Sequence, residues 1–373
     1  MQSYKKNSVV VFFSNNVSLE LWEKKQIIER ELKLYKYLSS KNIRVLLVTY
    51  GNKKDNRIFN KYKIKNISIV PLYANIKKNF ITKNIIYLLS PIILYKYIKN
   101  YNFLTTHQIS GGITALINKF FFKKKLILRL GWEPTLRPNS WGIGKIKSFF
   151  LTLNSYLCYF FSNIIIVSSD EIKNFIKKKY FFSSKIIVIP NSINTNVFKK
   201  INVKKSKEII TIARLVEQKN LFKFIDIISD LNLTGTIVGE GNLKKKLMIY
   251  AKKKNAKIKF IGKIKNSLLP KIINTHKIFL TTSYNEGSPK AILESMSCQV
   301  PVFAIKKTYL SEIMTNREGY LGSNDKKLKK ELINNLRLRM YYKKGVNARN
   351  KVLNRFENSI CFKKYFNLYT SSF

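Results

Sequence analysis

Two carboxylates flank a Gly-Ser-Pro turn in the segment "NEGSPKAILESMSCQVPVF", residues 285–303. Glu286 precedes the turn, and Glu294 follows it inside an otherwise apolar stretch. Ser288 is a favourable residue to cap a helix, and Pro289 fits the first helical position. The free amide groups at the start of such a helix can bind an anion, and a carboxylate beside them can accept hydrogen bonds from sugar hydroxyls.

The helix after this turn is predicted over residues 290–297, with Ile292, Leu293 and Met296 on one face. Glu294 would point away from that face, toward the predicted ligand site. Taken alone, the pattern favours a simpler alternative, in which one glutamate is exposed on the helix and the other is an ordinary loop acid.

Two earlier loops carry groups that suit a phosphate ligand. Arg214 follows directly on a predicted strand, and Lys219 lies five residues later, before a helix. Two cations at the carboxyl end of a parallel strand suit a diphosphate. The next strand runs into Gly239 and Gly241, which allow close approach of the backbone before a helix begins. Each loop alone is a weak signal, because basic loop residues and Gly-x-Gly turns are common.

Short β-branched runs alternate with longer amphipathic stretches, which is typical of βαβ units and a mainly parallel sheet. In open sheets of this kind, ligands bind beyond the carboxyl ends of the strands. The predicted strands are residues 9–13, 45–49, 67–70, 103–106, 126–129, 164–168, 186–189, 209–213, 236–238, 258–261, 278–282 and 302–304.

The alternation restarts after a polar, lysine-rich stretch near residue 195, so the fold class is predicted as α/β with two doubly wound Rossmann-like domains. The predicted domains are residues 1–194 and 195–355, and residues 356–373 are predicted as a C-terminal helix that returns to the first domain. A single helix is predicted over residues 19–41, and the tail from residue 326 onward is predicted to be helical throughout.

Few residues in this sequence could bind a metal. Cys158, Cys298 and Cys361 lie far apart without a CxxC pair, and the histidines are His107 and His276. A disulfide scaffold and a metal site are therefore not expected. Cysteine usage of this kind indicates a reduced, cytoplasmic protein.

The formal net charge is +50, from 70 lysines and arginines against 20 aspartates and glutamates. Nucleic acid or an anionic membrane surface would suit such a charge. The alternative is the residue bias of an AT-rich genome, which explains abundant lysine but not the shortage of acids. Both explanations stay open, and the sequence contains no recognised nucleic-acid-binding module.

Two apolar segments resemble membrane spans only superficially, because polar residues interrupt both residues 84–99 and residues 148–167. Neither supplies the roughly 20 predominantly apolar residues of a spanning helix. Core helix or strand is predicted, with interfacial contact as the alternative. Apolar bulk flanked by lysines is typical of interfacial attachment. Lysines lie around the first segment and also in the run "FFFKKK", which begins at Phe120. Those around the first segment are Lys77, Lys78, Lys83, Lys96 and Lys99.

Four motifs, in order, resemble the retaining glycosyltransferases of family 4, the "group 1" class with the GT-B fold. They are "VIPNSINTNVF" (188–198), "IARLVEQKN" (212–220), "IVGEGNLKKKL" (237–247) and "SYNEGSPKAILESMSCQVPVFA" (283–304). The resemblance is best over residues 186–313 and looser before them. It implies two Rossmann-like domains that face a cleft, with the donor bound by the second domain.

The resemblance also implies roles for individual residues. Arg214 and Lys219 would hold the donor diphosphate and stabilise the leaving nucleoside diphosphate, and Glu286 would bind the donor sugar. Glu294 would bind the ribose hydroxyls. The remaining donor-binding candidates are Gly239, Gly262, Gly287, Ser288 and Pro289. No metal would be needed, because cationic side chains and the helix dipole would stabilise the charge.

The acceptor side is the divergent part of the sequence. A histidine often follows the fifth strand of the first domain in this family, but "LRLGWEP" stands there and supplies Arg129 and Glu133 instead. His107 follows the fourth predicted strand and is a third candidate. The usual Gly-Gly pair after Ala304 is also missing, and Lys306 or Lys307 could take over its contact with the donor phosphates.

The predicted activity is a retaining, metal-independent transfer of a hexose-type sugar from a nucleotide sugar to a hydroxyl of a glycan or lipid-linked acceptor. Bacterial cell-envelope polysaccharide or lipopolysaccharide assembly would be the setting, in the cytoplasm or peripherally on the cytoplasmic face of the inner membrane. The alternatives are another GT-B enzyme, such as a nucleotide-sugar epimerase or a phosphorylase, and a basic nucleic-acid-binding protein. The donor sugar, nucleotide, acceptor and oligomeric state stay open.

Overall fold

In a computed structural model of the protein, residues 7–136, 144–286 and 289–371 are described. They form two compact units, each built around its own parallel sheet. The first unit contains the described residues up to Ile189 together with the segment that begins at Phe362, and the second is Pro190–Cys361.

The sheet of the first unit has strand order β3-β2-β1-β4-β5-β6-β7, with every neighbouring pair parallel. Its strands are rich in Val, Ile and Leu and mostly buried, apart from the partly exposed edge strand at residues 185–188, as expected when helices cover both faces of a parallel sheet. The strands are β1 (Ser8–Phe12), β2 (Arg44–Thr49), β3 (Ile67–Pro71), β4 (Phe103–Thr106), β5 (Lys125–Leu130), β6 (Ile164–Val167) and β7 (Lys185–Val188).

Helices connect these strands. They are α1 (Leu19–Lys24), α2 (Ile28–Ser40), α3 (Lys53–Asn60), α4 (Phe80–Ile98), α5 (Gly112–Phe122), α6 (Lys145–Phe161) and α7 (Asp170–Lys179). The prediction of one helix over residues 19–41 is wrong. The chain breaks between α1 and α2, where Gln26 takes a positive φ of 56° that a continuing right-handed helix excludes.

Strand order fixes which helices share a layer. The chain runs outward from β1 to β3 and then crosses back to β4, so β1 and β4 are neighbours at the point where the order reverses. Right-handed crossovers place α1, α2 and α3 on one face of the sheet and α4, α5 and α6 on the other. In the second layer α5 packs against both α4 and α6.

The second unit repeats this plan with strand order β10-β9-β8-β11-β12-β13, again entirely parallel. The predicted fold class of two doubly wound, parallel, Rossmann-like domains is confirmed. The strands are β8 (Lys207–Ile212), β9 (Thr234–Val238), β10 (Lys257–Ile261), β11 (His276–Thr281), β12 (Val302–Ile305) and β13 (Gly319–Gly322).

The helices of the second unit are α8 (Leu221–Asp230), α9 (Lys244–Lys253), α10 (Leu269–Asn274), α11 (Lys290–Ser297), α12 (Thr308–Ser311), α13 (Asp325–Arg337) and α14 (Tyr341–Arg355). A last helix, α15 (Asn358–Thr370), leads from the second unit into the first. The tail is therefore not one continuous helix. It is interrupted after α13, where Arg339 has a φ of 54°, and again at Phe356, which ends α14.

Alternation along β11 builds the core of the second unit on both faces of its sheet. Phe279 packs into the cluster that holds Leu293 and Met296 of α11. Ile278, one residue earlier, packs into the opposite cluster with Phe224 of α8. Successive strand residues point to opposite faces, so one strand anchors both layers.

No helix in the described part of the chain combines the length and the apolar character that crossing a bilayer requires.

Candidate functional site

A cleft of about 210 Å³ lies within the second unit, at the carboxyl ends of β8 and β11. These two strands are neighbours at the point where the strand order reverses, which is the usual ligand site of an open α/β sheet. The main-chain segment 211–213 forms one wall, and the start of α11 forms another. The charged side chains that line the cleft are Lys219, Glu286 and Lys290.

Lys219 and Glu286 form an ion pair in this cleft. Each side chain is only 13% exposed, so the pair lies mostly out of solvent. The two residues are 67 positions apart in the sequence, and the fold brings them together because their loops follow neighbouring strands. The cation and the acid that the sequence analysis selected are therefore side by side.

Hydrogen bonds connect the loop after β8 to the loop after β11. The Nε2 of Gln218 donates to the carbonyl of Asn285 at 2.9 Å, and the amide of Tyr284 donates to the carbonyl of Gln218 at 3.1 Å. The Thr282 hydroxyl donates to the carbonyl of Asn220 at 2.9 Å. These positioning residues were missed by the sequence analysis. Their only signal was their place within the motifs 212–220 and 283–304 or, for Thr282, directly before the second of these.

Lys219 closes a single 3₁₀ turn, Glu217–Lys219, and the next residue, Asn220, takes a left-handed conformation with φ 46°. Asparagine tolerates this region better than most residues. The turn therefore ends at Asn220, and α8 begins immediately afterward.

Arg214 lies at the same edge of the sheet but does not line the cleft. Its side chain is exposed and has no ion pair or hydrogen bond with the described residues. Hydrogen bonds of both neighbours fix its main chain: the amide of Ala213 donates to the carbonyl of Val238 at 3.0 Å, and the amide of Leu215 donates to the carbonyl of Glu240 at 2.9 Å. The structure thus brings Lys219 and Glu286 together and leaves Arg214 as a cation next to them along the chain, free to reorient.

The glycines after β9 have a role in the fold itself. Gly239 has a φ of 141°, and a Cβ there would lie 1.9 Å from the carbonyl oxygen of Ala213. A Cβ on Gly241 would lie 2.3 Å from the carbonyl oxygen of Leu215. Both glycines therefore let the loop after β9 pack directly against the loop after β8. Contact between Gly239 and a nucleotide stays a prediction.

Gly262 follows β10, and the amide of Gly239 donates to its carbonyl at 3.2 Å. A Cβ on Gly262 would meet the Glu240 carboxylate at 2.8 Å, a flexible neighbour that can move. The structure places Gly262 beside the other loops but gives no strict reason for glycine there.

The helix α11 has the predicted range of residues 290–297, but Pro289 is not its first helical residue. Pro289 precedes the helix in an extended conformation, with φ −75° and ψ 107°, and the first helical residue is Lys290. Pro289 lines the cleft. The predicted contributions of Gly287 and Ser288, including the serine cap, lie outside the described residues.

Glu294 was predicted either to face the ligand site or to be exposed on the helix, and the structure shows neither. Its side chain is 5% exposed, so it is not the solvent-exposed helix residue of the simpler interpretation. It is not among the residues that line the cleft either. Burial arises because Leu293, Ser295 and Met296 around it are buried too, so α11 is enclosed on nearly every side. A ribose contact by Glu294 stays a prediction.

A second cleft of about 260 Å³ adjoins the first, and both include Thr281 and Ser283. Lys307, one of the two lysines suggested as replacements for the missing Gly-Gly pair, lines this second cleft. So does Lys223, which forms an ion pair with Asp325.

In the first unit, His107 follows β4 and is mostly buried among aromatic rings. Its Nδ1 lies 2.9 Å from the hydroxyl of Tyr35, and its Nε2 lies 3.5 Å from a carboxylate oxygen of Glu31. The rings of Trp22 and Phe13 pack against it, with centroids at 5.1 and 5.7 Å. The α2 residues Glu31 and Tyr35 were missed by the sequence analysis, although their four-residue spacing puts them on one side of a helix.

Arg129, on β5, lies over the ring of Tyr365 from α15, with 5.1 Å between the guanidinium carbon and the ring centroid. The hydroxyl of Tyr369, one turn later, lies 3.4 Å from the hydroxyl of Thr105 on β4. Arg129 thus has a structural contact with α15, and its acceptor-side role stays a prediction.

Glu133 does not reach an acceptor surface, which corrects the prediction for this residue. Its side chain is fully buried, and one carboxylate oxygen accepts hydrogen bonds from the amide (2.9 Å) and hydroxyl (2.6 Å) of Thr135. The Tyr159 hydroxyl donates to the other oxygen. Burial raises the pKa of Glu133. These contacts make it a core residue.

Within the three described ranges, no three His, Cys, Asp or Glu side chains gather as ligands for a metal ion. The three cysteines, all among the described residues, are buried and outside any disulfide, and burial raises the pKa of both Cys158 and Cys298 to about 12.

Two Rossmann-like units of this kind define the GT-B fold of glycosyltransferases, and similarity to known proteins agrees. The chain superimposes on a crystal structure of HepE from Anabaena in complex with UDP and glucose with a TM-score of 0.74, covering 98% of this chain and 99% of that chain. The two sequences are 15% identical, so this likeness concerns the fold alone.

The family model "Glycosyl transferases group 1" matches residues 192–351. The matched segment includes the whole cleft, and the match confirms the family resemblance. The matched segment contains three of the four sequence motifs completely and residues 192–198 of the first.

Curated relatives match only part of this chain. The chain is 28% identical over 171 residues to a phosphatidylinositol N-acetylglucosaminyltransferase component of Arabidopsis thaliana, covering 43% of this chain and 38% of that protein. It is 25% identical over 257 residues to a Campylobacter jejuni enzyme named as an α-1,4-N-acetyl-D-galactosaminyltransferase of a diphosphoundecaprenol-linked glycan, covering 61% and 67%. The chain spans between 38% and 52% of the length of three of its curated relatives.

Proposed function

We propose that this protein transfers a sugar from a nucleotide-sugar donor to a hydroxyl group of a glycan or lipid-linked acceptor, with retention of the anomeric configuration and without a metal ion. The observation that carries the proposal is the Lys219–Glu286 ion pair inside the cleft of a group 1 glycosyl transferase domain. In such a pair, the cation and the carboxylate can each bind a different part of one donor.

In this proposal the diphosphate of the donor lies beside Lys219, with Lys290 at the start of α11 as a second cation. Arg214 would turn toward the same phosphates, since its side chain has no partner among the described residues. Three cations and a helix start would supply the positive charge that a metal supplies elsewhere. Charge-assisted contacts of this kind stabilise the leaving nucleoside diphosphate as its charge develops.

Glu286 would accept hydrogen bonds from the hydroxyls of the donor sugar once Lys219 engages the phosphates. The acceptor hydroxyl would then attack the anomeric carbon on the face from which the nucleoside diphosphate departs. The bond from this carbon to the phosphate oxygen breaks with its electron pair on the oxygen, and the acceptor proton moves to that oxygen. Attack and departure on the same face retain the configuration.

A lipid-linked acceptor is supported by the relative from Campylobacter jejuni, whose name specifies a glycan on diphosphoundecaprenol. UDP is the first nucleotide to test, because the solved HepE structure of the same fold contains it. The experiment below is designed to identify the donor sugar and the linkage of the product.

The test begins with a thermal-shift screen of nucleotide sugars, since a ligand at 100 times its dissociation constant adds roughly 2.7 kcal/mol of stability. The stabilising donor is then incubated with a diphosphoundecaprenol-linked sugar, and the product linkage is read by proton NMR. We expect a new glycosidic bond with retained configuration, at an unchanged rate in EDTA. Sugar release or isomerisation without acceptor would instead indicate a hydrolase or epimerase, and an inverted product would refute the front-face route.

The cation roles are tested by product inhibition. Arg214→Ala and Lys219→Ala should each raise the inhibition constant of the nucleoside diphosphate about tenfold or more, the equivalent of a lost charge-assisted contact. Arg317→Ala is the matched control, because Arg317 is also exposed in the second unit but lies outside both clefts. Equal inhibition constants in all three variants would contradict the assignment.

A further inference from the structure

The helices α4, α5 and α6 form a surface of the first unit that is apolar where it faces solvent. On α6 the exposed apolar residues recur at intervals of three or four, which places them on one outward stripe. Ile146 is 77% exposed and Phe149 is 65% exposed. The stripe consists of Ile146, Phe149, Phe150, Leu153, Tyr156 and Phe160.

A second outward stripe runs along α4. Ile81, Leu88, Ile92 and Tyr95 are all more than half exposed, and their spacings of seven, four and three residues keep them on one side of the helix. The opposite side of α4 is apolar as well, and residues such as Leu94 pack there into the core. A helix that is apolar on both sides has more hydrophobic surface than its own domain buries.

Aromatic contacts through α5 join the two stripes into one surface. The ring of Tyr95 on α4 lies 6.3 Å from that of Phe122 on α5. On the other flank of α5, Phe120 lies 5.1 Å from Phe161 of α6, and Phe120 is itself 55% exposed. The three helices therefore present a continuous apolar face. Exposed apolar surface of this extent marks an interaction site rather than an ordinary protein surface.

The charges around this face have one sign. Between residues 57 and 169 the sequence contains a single acidic residue, Glu133, and its side chain is fully buried. The remaining acids lie outside this segment, so the region is depleted of acids beyond the average of the chain. Exposed lysines on or near the three helices include Lys78, Lys83, Lys96, Lys99, Lys123, Lys125 and Lys145.

From this combination we infer that the α4–α6 face binds peripherally to an anionic lipid surface. Apolar side chains insert at the boundary of the acyl chains, and the lysines attract anionic headgroups, each adding about 1 kcal/mol. A second copy of the chain is a poorer occupant, because its own face would bring the same lysines into contact with these. No described helix could cross the bilayer, so the contact would be made by helices that lie on the surface. This inference concerns surface binding and does not depend on the proposed transfer reaction.

The experiment is flotation of the full chain with vesicles of phosphatidylcholine alone or with phosphatidylglycerol added. We expect flotation with the anionic vesicles in low salt, strong release when salt is raised to about 0.5 M, where the Debye length falls to a few Å, and little flotation with phosphatidylcholine alone. No flotation with anionic vesicles in low salt would overturn the inference.

The apolar contribution is tested by the double variant Ile92→Ser and Phe149→Ser. Both side chains are exposed, so the fold should be unaffected, while vesicle binding should fall about tenfold or more. Met248→Ser with Ile249→Ser is the matched control, since these exposed residues lie on α9 of the second unit among lysines. An equal loss in both double variants would assign the binding to general hydrophobicity and overturn the inference.

The charge contribution is tested by replacing three lysines with glutamine in each unit, which changes the net charge equally. Only replacements near the α4–α6 face should weaken binding to anionic vesicles, and equal weakening in both would show attraction by the overall charge alone. The matched sets are Lys83, Lys96 and Lys99 against Lys246, Lys252 and Lys253.

Light scattering gives the oligomeric state in parallel. A dimer that Ile92→Ser and Phe149→Ser convert to a monomer, with no vesicle binding, would assign the face to a second copy instead.

Discussion

At the scale of single residues, the Lys219–Glu286 pair explains why an acid is tolerated in a largely buried segment. A lone carboxylate out of solvent is costly, and an adjacent lysine offsets this cost. A glutamate exposed in a polar cleft could be replaced with little effect on stability. The observed pairing at 13% exposure implies a larger effect, because loss of either partner leaves the other charge poorly solvated.

We therefore predict strong coupling between these two residues. Glu286→Gln and Lys219→Met should each lower the free energy of unfolding by about 1–3 kcal/mol, and the double variant should lose less than the sum. The same substitutions in the exposed Lys244–Glu240 pair, with side chains 40% and 55% exposed, provide the control, and coupling there should stay below about 0.5 kcal/mol.

The second-unit pairs should be measured by hydrogen exchange of peptides from β8 and β11, because all three tryptophans precede Ile189 and fluorescence reports only the first unit. Transfer should be much slower, though still measurable, in all three variants of the Lys219–Glu286 cycle, including the double variant. Additive stability losses would show that the ion pair contributes nothing to the fold.

A pH effect is expected from His276, which is fully buried at the start of β11. Its Nδ1 lies 2.8 Å from the carbonyl oxygen of Ile272, to which it donates, and its Nε2 lies 2.9 Å from the hydroxyl of Thr236. Burial, together with the nearby charges of Lys207 and Lys205, lowers the pKa of His276 from 6.5 to about 4. The folded chain therefore holds a neutral imidazole where the unfolded chain binds a proton.

The sign of the effect follows from proton binding. Between pH 6.5 and pH 4 the unfolded state binds more protons at this residue, so stability should fall on acidification, by at most about 3 kcal/mol. His276→Gln should remove this part of the pH dependence, measured as the difference in unfolding free energy between pH 7 and pH 4. Thr236→Val should destabilise the protein at every pH yet keep the slope, and an unchanged slope in His276→Gln would contradict the prediction.

At the scale of elements, hydrophobic periodicity predicted twelve of the strands to within two residues of their observed ends. Buried parallel strands carry a strong signal because both their faces need apolar side chains. β13, with the sequence Gly-Tyr-Leu-Gly, was not predicted, because it is short and lacks β-branched residues. The division of the first helix at Gln26 was missed because a positive φ at a non-glycine residue leaves no trace in an amphipathic pattern.

The positions of the candidate site residues could be predicted from the sequence to a similar extent. Loops after neighbouring parallel strands must meet at one edge of the sheet, so the proximity of Lys219 and Glu286 followed from their positions. Side-chain burial did not follow, because it depends on how the layers pack. Glu133 and Glu294 were expected at ligand-facing positions, and the packing around α6 and α11 buries both.

The loop after β9 yields a prediction at this scale. Gly239→Ala would force a Cβ to within 1.9 Å of the Ala213 carbonyl oxygen at a φ of 141°. We expect a loss of at least about 2 kcal/mol, from backbone strain and displacement of the loop after β8. Faster hydrogen exchange in β8 and β9 would report it.

Gly144→Ala provides the control for this substitution, since nothing lies within 4 Å of a Cβ at that position. Its effect should stay below about 1 kcal/mol. If both alanine variants were equally stable, the close packing of the β8 and β9 loops would not be a constraint on the sequence.

At the scale of the whole molecule, the net charge of +50 acts on stability as well as on binding. Like charges repel one another more strongly in the compact state than in the expanded one. The described ion pairs offset little of this, because most involve exposed side chains. Folding therefore works against an electrostatic cost that salt can screen.

Added salt should accordingly stabilise this protein. Between about 0.01 M and 0.15 M sodium chloride the Debye length shrinks from about 30 Å to about 8 Å, so repulsion across the molecule is largely screened while close pairs persist. We expect the unfolding midpoint to rise, equivalent to about 1 kcal/mol or more. Choline chloride at equal ionic strength should act alike, which separates screening from binding of a particular cation. The variant with glutamine at Lys246, Lys252 and Lys253 should respond less, because three mutually repelling charges on α9 are gone. A midpoint that falls or stays constant with salt would mean that local ion pairs, rather than the excess of positive charge, dominate the electrostatics of the fold.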